Sequence, residues 1–280
     1  MKFTKKKAII SVLTIIVLLL IYVMYLSNKN KIKSPVEIII PDYYSLSEFY
    51  YEGDFNKFSV DVYNWYKKIE NNDGVYLINT TYFDDDILDI WRENQVYNSI
   101  PDKAFWYFRA SPSYIKNMGI NVSHEEITNA KDGVRLYLLP DMLSEEEMGK
   151  MKSYLEEDAL KNAKESSIKT TFTEEQEIKF ITYTPDRSYF TWYSEKGEPL
   201  VDKAPVIYVC TSENMKYFES ESLTATELDS YVKFENKESL DNSVDDIFEN
   251  YNLKFLESSE IYKKAEKYGR IDREKDQVFK

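Results

Sequence analysis

The sequence predicts an α+β chain: a single N-terminal transmembrane helix followed by an extracytoplasmic domain of two β-α-β-containing lobes. Three observations carry that expectation. Residues Ala8 to Leu26, AIISVLTIIVLLLIYVMYL, form a 19-residue run without a charge, which at about 1.5 Å of rise per residue spans a hydrocarbon core. Beyond it, short apolar runs alternate with stretches whose apolar residues recur every three or four positions, in two strand–helix–strand groups. A polar stretch near residues 120 to 134 separates the groups.

The predicted order begins with a cytoplasmic basic tail, residues 1–7, and the span, residues 8–26. Lys2, Lys5, Lys6 and Lys7 precede the span, and Lys29, Lys31 and Lys33 follow it. Charge alone therefore leaves the orientation nearly balanced. Long C-terminal domains cross largely regardless of charge, so the N-terminus is placed inside and the domain outside, as a single-pass protein of the cell membrane. A cleaved signal peptide shares the basic start and apolar stretch, but YVMYLSNKN offers no small-residue cleavage site, and the run exceeds a usual signal core.

Lobe 1 is assigned to residues 36–130. Val36–Ile40 is an apolar run closed by Pro41 and Asp42, a buried-strand signal. Phe55, Phe58, Val62, Trp65 and Ile69 keep helical spacing and predict an amphipathic helix from Asp54 to Asn71. Asp73 and Gly74 stop it, and VYLINTTYF, Val75 to Phe83, reads as the next strand, with Lys103 to Ser111 a further one.

Lobe 2, residues 131–280, opens with RLYLLP at Arg135 to Pro140. Ser144 and Glu147 are spaced as a capping box for a helix running to about Lys164. Glu177–Thr184 and Tyr189–Ser194 flank PDRS and predict a hairpin. Strands at Pro205–Thr211 and Tyr231–Phe234 follow, then helices near Ser239–Asn252 and Ser258–Tyr268.

Residues 1–34 hold seven lysines and no acid, which leaves the remainder 29 basic against 49 acidic residues, a formal charge of −20. Such a field repels phosphates, so nucleic acid is excluded as a partner. A cationic partner is compatible with it, although acidity alone mainly confers solubility. The single cysteine, Cys210, rules out an internal disulfide and lies in an apolar run, as a core residue does. An extracytoplasmic domain of this size without disulfides suits a bacterial envelope.

Little in the sequence points to catalysis. His124 is the only histidine and sits in polar NVSHEEI, where a solvated loop or helix start is expected. Walker A, GxGxxG, GxSxG and HExxH strings are absent. Asp84, Asp85, Asp86 and Asp89 supply oxygens for a hard cation but lack EF-hand spacing and its glycine. The alternative is the charged start of a helix beginning at Ile87. Glu145, Glu146 and Glu147 are explained by the dipole of the helix they open. No catalytic, cofactor-binding or metal-ligating residue is assigned, and the chain is read as a non-enzyme.

Four segments occur in a telling order: SPSYIKNMGI from Ser111, RLYLLPDMLSEEEMGKMKSYLEE from Arg135, IKFITYTPDRSYFTWYS from Ile178 and KAPVIYVCTSENM from Lys203. This succession resembles the extracytoplasmic part of bacteriocin-associated integral membrane proteins. The matching positions are Tyr114, Leu138 to Pro140, Tyr189 to Tyr193 and Pro205 to Asn214. The resemblance covers about residues 36 to 270 through loose hydrophobic patterns. It implies a role in bacteriocin immunity and kinship with macrolide-exporter-type ABC permeases, which pair one N-terminal and three C-terminal membrane helices with a separate ATPase. No counterpart of the three C-terminal helices precedes Lys280, so a truncated or split permease, a fragment and a stand-alone homologue are alternatives. The expected function is a non-enzymatic component of such an export or immunity system, with an ABC ATPase or permease and a cationic peptide as partners. A general surface-anchored binding module unrelated to transport is the alternative.

Overall fold

In the computed structural model, residues 41–128, 130–131, 134–161, 177–192 and 201–269 are described. The predicted span Ala8–Leu26 and the predicted strand Val36–Ile40 lie outside them. Among the described residues no helix is long and apolar enough to cross a membrane.

The first described strand is β1 (Tyr44–Glu48). Helix α1 (Phe55–Ile69) follows, with the Asp54 side chain accepting a hydrogen bond from the Asn56 N–H at its start. Gly74, at φ +72°, turns the chain into β2 (Val75–Phe83), a conformation that only glycine adopts without strain. α2 (Asp85–Glu93), β3 (Phe105–Ala110), α3 (Pro112–Asn117) and α4 (His124–Thr128) come next. β4 (Val134–Pro140), α5 (Glu145–Leu160) and β5 (Glu177–Tyr183) form the second strand–helix–strand unit, and Ser144 and Glu147 make the reciprocal capping box. The remaining strands are β6 (Tyr189–Phe190), β7 (Val201–Asp202), β8 (Val206–Val209), β9 (Val232–Phe234) and β10 (Lys254–Glu257). Among them lie α6 (Tyr217–Glu221), α7 (Lys237–Asp241) and α8 (Ile247–Asn250), with α9 (Ser258–Lys267) last.

Eight strands make one mixed sheet in the order β10-β1-β9-β2-β3-β8-β4-β5, and β6 pairs with β7 separately. This corrects the two-lobe expectation. β9, from the second predicted lobe, is hydrogen-bonded antiparallel to both β1 and β2 of the first, and β3 pairs in parallel with β8. β1 and β2 therefore run parallel with β9 inserted between them, whereas β4 and β5 are parallel neighbours. The described residues fall within one compact unit. The predicted hairpin is likewise corrected: β5 pairs with β4 and β6 with β7. Local alternation cannot name a strand's partner, which is fixed by packing between distant segments.

Two apolar layers cover the sheet. On one face Phe58, Val62, Trp65 and Tyr66 of α1 and Met151, Tyr154 and Leu155 of α5 pack on Val75, Leu77, Tyr137, Leu139 and Tyr208. On the other, Tyr114, Ile115, Ile127 and Trp192 pack on Tyr76, Ile78, Phe108, Leu138 and Ile207. Central strands covered on both faces read as nearly continuous apolar runs, which is why β2, β4 and β8 were legible.

Candidate functional site

Strand register sets a polar row through the first of these layers. Asn79 lies opposite Arg109 across β2 and β3, Arg109 opposite Tyr208 across β3 and β8, and Tyr208 opposite Tyr137 across β8 and β4. Residues two apart share a face, so Arg135 joins Tyr137 and Thr81 joins Asn79. Arg135 is fully buried; its Nη2 donates to Glu219 Oε1 at 2.7 Å, its Nη1 to Glu219 Oε2 at 3.2 Å, and its Nε to the Tyr137 hydroxyl at 2.7 Å. The guanidinium lies 3.8 Å from the Tyr208 ring centre, a cation–π contact.

Glu219 lies in α6, whose start it ties: Glu219 Oε2 also accepts the Lys216 backbone N–H at 2.8 Å. Lys216 sends its ammonium to the Asp158 carbonyl at 2.6 Å and to Asp158 Oδ2 at 3.2 Å. Tyr97 donates to the other Asp158 oxygen at 2.9 Å. Burial alone would raise Glu219; the charge and hydrogen bonds of Arg135, with Lys216 and Arg109, reverse this and hold its carboxyl below the ordinary value. Asp158 is lowered in the same way, its burial outweighed by Lys216 and Arg135. Asn214 braces the layer, accepting from the Tyr208 hydroxyl at 2.7 Å and donating to the carbonyls of Val209 and Val134.

Arg109 stands at the edge of this network, where a cleft of about 460 Å³ opens over β2 and β3. Asn79, Thr81, Asp84, Ser222, Asp229 and Tyr231 line it together with Arg109. Nη1 of Arg109 donates to Asn79 Oδ1 at 3.1 Å and to Thr81 Oγ1 at 3.0 Å. Its Nε is buried without a hydrogen bond, 3.8 Å from Glu219 Oε1. The guanidinium also lies 4.7 Å from the Tyr107 ring centre. This is an anchored cation in a partly open polar cleft.

A second cleft, of about 360 Å³, has an apolar lining of Phe105, Trp106, Pro140, Met142, Leu143 and Met151. Three carboxylates, Asp102, Glu147 and Asp202, and the Lys103 ammonium also face it. Lys103 pairs with Glu147 at 2.7 Å, Lys150 pairs with Asp102 at 2.8 Å, and Asp202 Oδ2 accepts the Ala204 N–H at 3.0 Å. Burial raises the Asp202 carboxyl. Lys103 first, then the Ser144 N–H, bring Glu147 down to about 2.

Among the described residues, the metal-ligand and histidine candidates of the sequence make no hydrogen bond to Arg135, Glu219, Lys216 or Asp158. Asp84 caps α2 through the Ile87 N–H at 2.8 Å and lines the Arg109 cleft. Asp85 accepts from the Ala104 N–H, and Asp89 pairs with Arg92. Among the described residues no group of three or more His, Cys, Asp or Glu is arranged to hold a metal ion. His124 is exposed at the first position of α4. Cys210 is fully buried in the apolar layer, which pushes its thiol well up. Glu145, Glu146 and Glu147 occupy the first turn of α5.

Sequence reasoning missed Arg109, Arg135, Lys216, Glu219 and Asp158. A signal existed for two of them. Arg109 alternates with Phe105 and Tyr107, and Arg135 with Tyr137 and Leu139, which puts an arginine on an inward position of each strand. Nothing local marks Glu219 as their partner. No protein-family model, curated protein or solved structure matches the sequence.

Proposed function

We propose that the chain is a non-enzymatic extracytoplasmic component of a bacteriocin-associated ABC-type export or immunity system, and that its folded domain recognises a cationic peptide. In this reading Ala8–Leu26 anchors it in the cell membrane with the N-terminus cytoplasmic, and an ABC ATPase or permease is its partner. The observation that carries the proposal is the second cleft, whose lining combines apolar residues such as Phe105, Pro140 and Met142 with three carboxylates and one lysine. That pairing of apolar surface and net negative charge suits an amphipathic cationic segment. The −20 charge of residues 35–280 supports the same choice by drawing such a peptide toward the domain.

Expression in a bacteriocin-sensitive strain, with and without neighbouring transporter genes, tests the reading. Survival should rise with the chain and its transporter together. Binding of a cationic amphipathic peptide to the full chain in detergent should weaken steeply between low and high salt, because the attraction is screened beyond about 10 Å at 0.1 M. Unchanged survival in both backgrounds, with no peptide binding at low salt, would overturn it and leave a binding module unrelated to transport.

A further inference from the structure

We infer that the Arg109 cleft is a binding site for the carboxylate of a small zwitterion, an α-amino acid in its chemistry, with Arg109, Asn79 and Thr81 as the carboxylate-facing groups.

A guanidinium offers only donors, whereas Asn and Thr offer both donors and acceptors. Arg109 Nη1 takes the Asn79 carbonyl oxygen and a lone pair of the Thr81 hydroxyl. What the three side chains have left is therefore donor capacity: the Asn79 amide N–H pair, the Thr81 O–H and Arg109 Nη2. Among the described residues, the Asn79 amide, the Thr81 hydroxyl and Arg109 Nη2 donate to no protein acceptor. Uncommitted donors lining one concave site suit an oxyanion.

The anchoring also makes the site rigid. Asn79 and Arg109 are a cross-strand pair in the middle of the sheet, with Thr81 one pleat further along β2. Tyr107 packs on the guanidinium from its own strand. A ligand thus finds the fork already oriented, and the ordering entropy has been met in folding.

The charge of the lining selects among oxyanions. Asp84 and Asp229 face the same cleft as Arg109, so the lining carries one positive and two negative groups. A phosphate dianion would meet net repulsion there, inside a chain of formal charge −13. A carboxylate that travels with an ammonium group does not: its anion meets Arg109, and its cation meets Asp84. Asp84 spends one oxygen on the Ile87 N–H and keeps the other for such a contact. A volume of about 460 Å³ is in the range of small-molecule sites.

This inference is independent of the peptide reading, which uses the other cleft. The test is calorimetric titration of the full-length chain in detergent with each of the twenty L-amino acids, acetate and inorganic phosphate. At least one amino acid should bind with a Kd below about 1 mM, with acetate at least ten-fold weaker and phosphate weaker still. Asn79→Asp replaces the donor by a carboxylate that pairs internally with Arg109, so the fold should hold while amino-acid affinity falls at least ten-fold. Thr81→Val removes one hydroxyl at nearly constant shape and should weaken binding several-fold, which serves if Asn79→Asp does not fold. Circular dichroism and thermal unfolding establish that each variant is folded. No heat with any amino acid up to 10 mM (about −3 kcal/mol of affinity), phosphate binding as tightly as the best amino acid, or undiminished binding by both folded variants would overturn the inference. Peptide-dependent survival that persists alongside such a failure would leave the proposed function standing.

Discussion

The two faces of the sheet bury charge by opposite means. On the α1–α5 face, Arg135, Lys216, Glu219 and Asp158 are hydrogen-bonded to one another or share partners, and each keeps its ionised form in reach of an opposite charge. On the other face, Lys233 of β9 is only 1% exposed, opposite Tyr76 and Ser45 in the sheet. Its ammonium has the Ser230 carbonyl at 2.6 Å and the Trp192 ring centre at 5.0 Å. Burial brings it down to about 7, with the negative charge of Asp229 offsetting only part of that. Desolvation is the same expense on both faces. A partner carboxylate offsets it on one; loss of the proton relieves it on the other.

The largest effect should come from breaking the paired face. Glu219→Gln removes the carboxylate that is hydrogen-bonded to the buried Arg135 guanidinium and should cost about 3–5 kcal/mol in urea unfolding. The double replacement Arg135→Met with Glu219→Leu removes both charges and should recover most of that loss. If the single and double variants are equally unstable, the pair does not act as a unit.

Lys233→Met should do the reverse and stabilise the protein. The sign follows from proton counts. With a folded pKa of about 7 against an ordinary 10.5, the unfolded chain binds more protons between those values, so wild-type stability rises with pH across that window. The Met variant should gain on the order of 3 kcal/mol at pH 7, and its advantage should shrink as pH approaches 10. An advantage that does not change from pH 7 to 9.5 would show that Lys233 is charged in the fold. Tyr43 and Tyr76, pushed up to about 12 chiefly by burial, stay protonated throughout.

Two surface variants calibrate the comparison. Ser144→Ala removes the α5 cap, in which Ser144 Oγ accepts from the Glu147 N–H, and should cost about 1 kcal/mol. Lys237→Ala breaks an exposed pair with Asp241 at 3.2 Å and should change thermal stability by less than about 0.5 kcal/mol. A larger cost there would mean that exposed pairs rival buried ones in this fold.

Legibility in the sequence followed the range of the physics. Helical spacing placed α1 within two residues, and the Ser144–Glu147 spacing placed the start of α5. VYLINTTYF became β2 without adjustment. Asp84 was legible as a helix-start residue but not as part of a cleft wall, because that wall also needs Arg109 from β3 and Asp229 and Tyr231 from much later in the chain. The short helices α7 and α8 replaced one predicted helix because Asn236 and Ser239 cap a turn locally and the chain breaks again before Ile247.

By itself, then, the sequence determined the α+β class, the positions of the main strands and helices, the buried place of Cys210 and the exposed helix-start place of His124. Each depends on neighbours within a few residues or on burial propensity. Only tertiary structure decided that β9 enters between β1 and β2, that β3 joins β8, and that Arg135 meets Glu219. Those pairings link segments up to about two hundred residues apart. Hydrogen-bonding capacity is the same along every strand, so the choice of partner falls to the side-chain packing of the whole sheet, which no local pattern records.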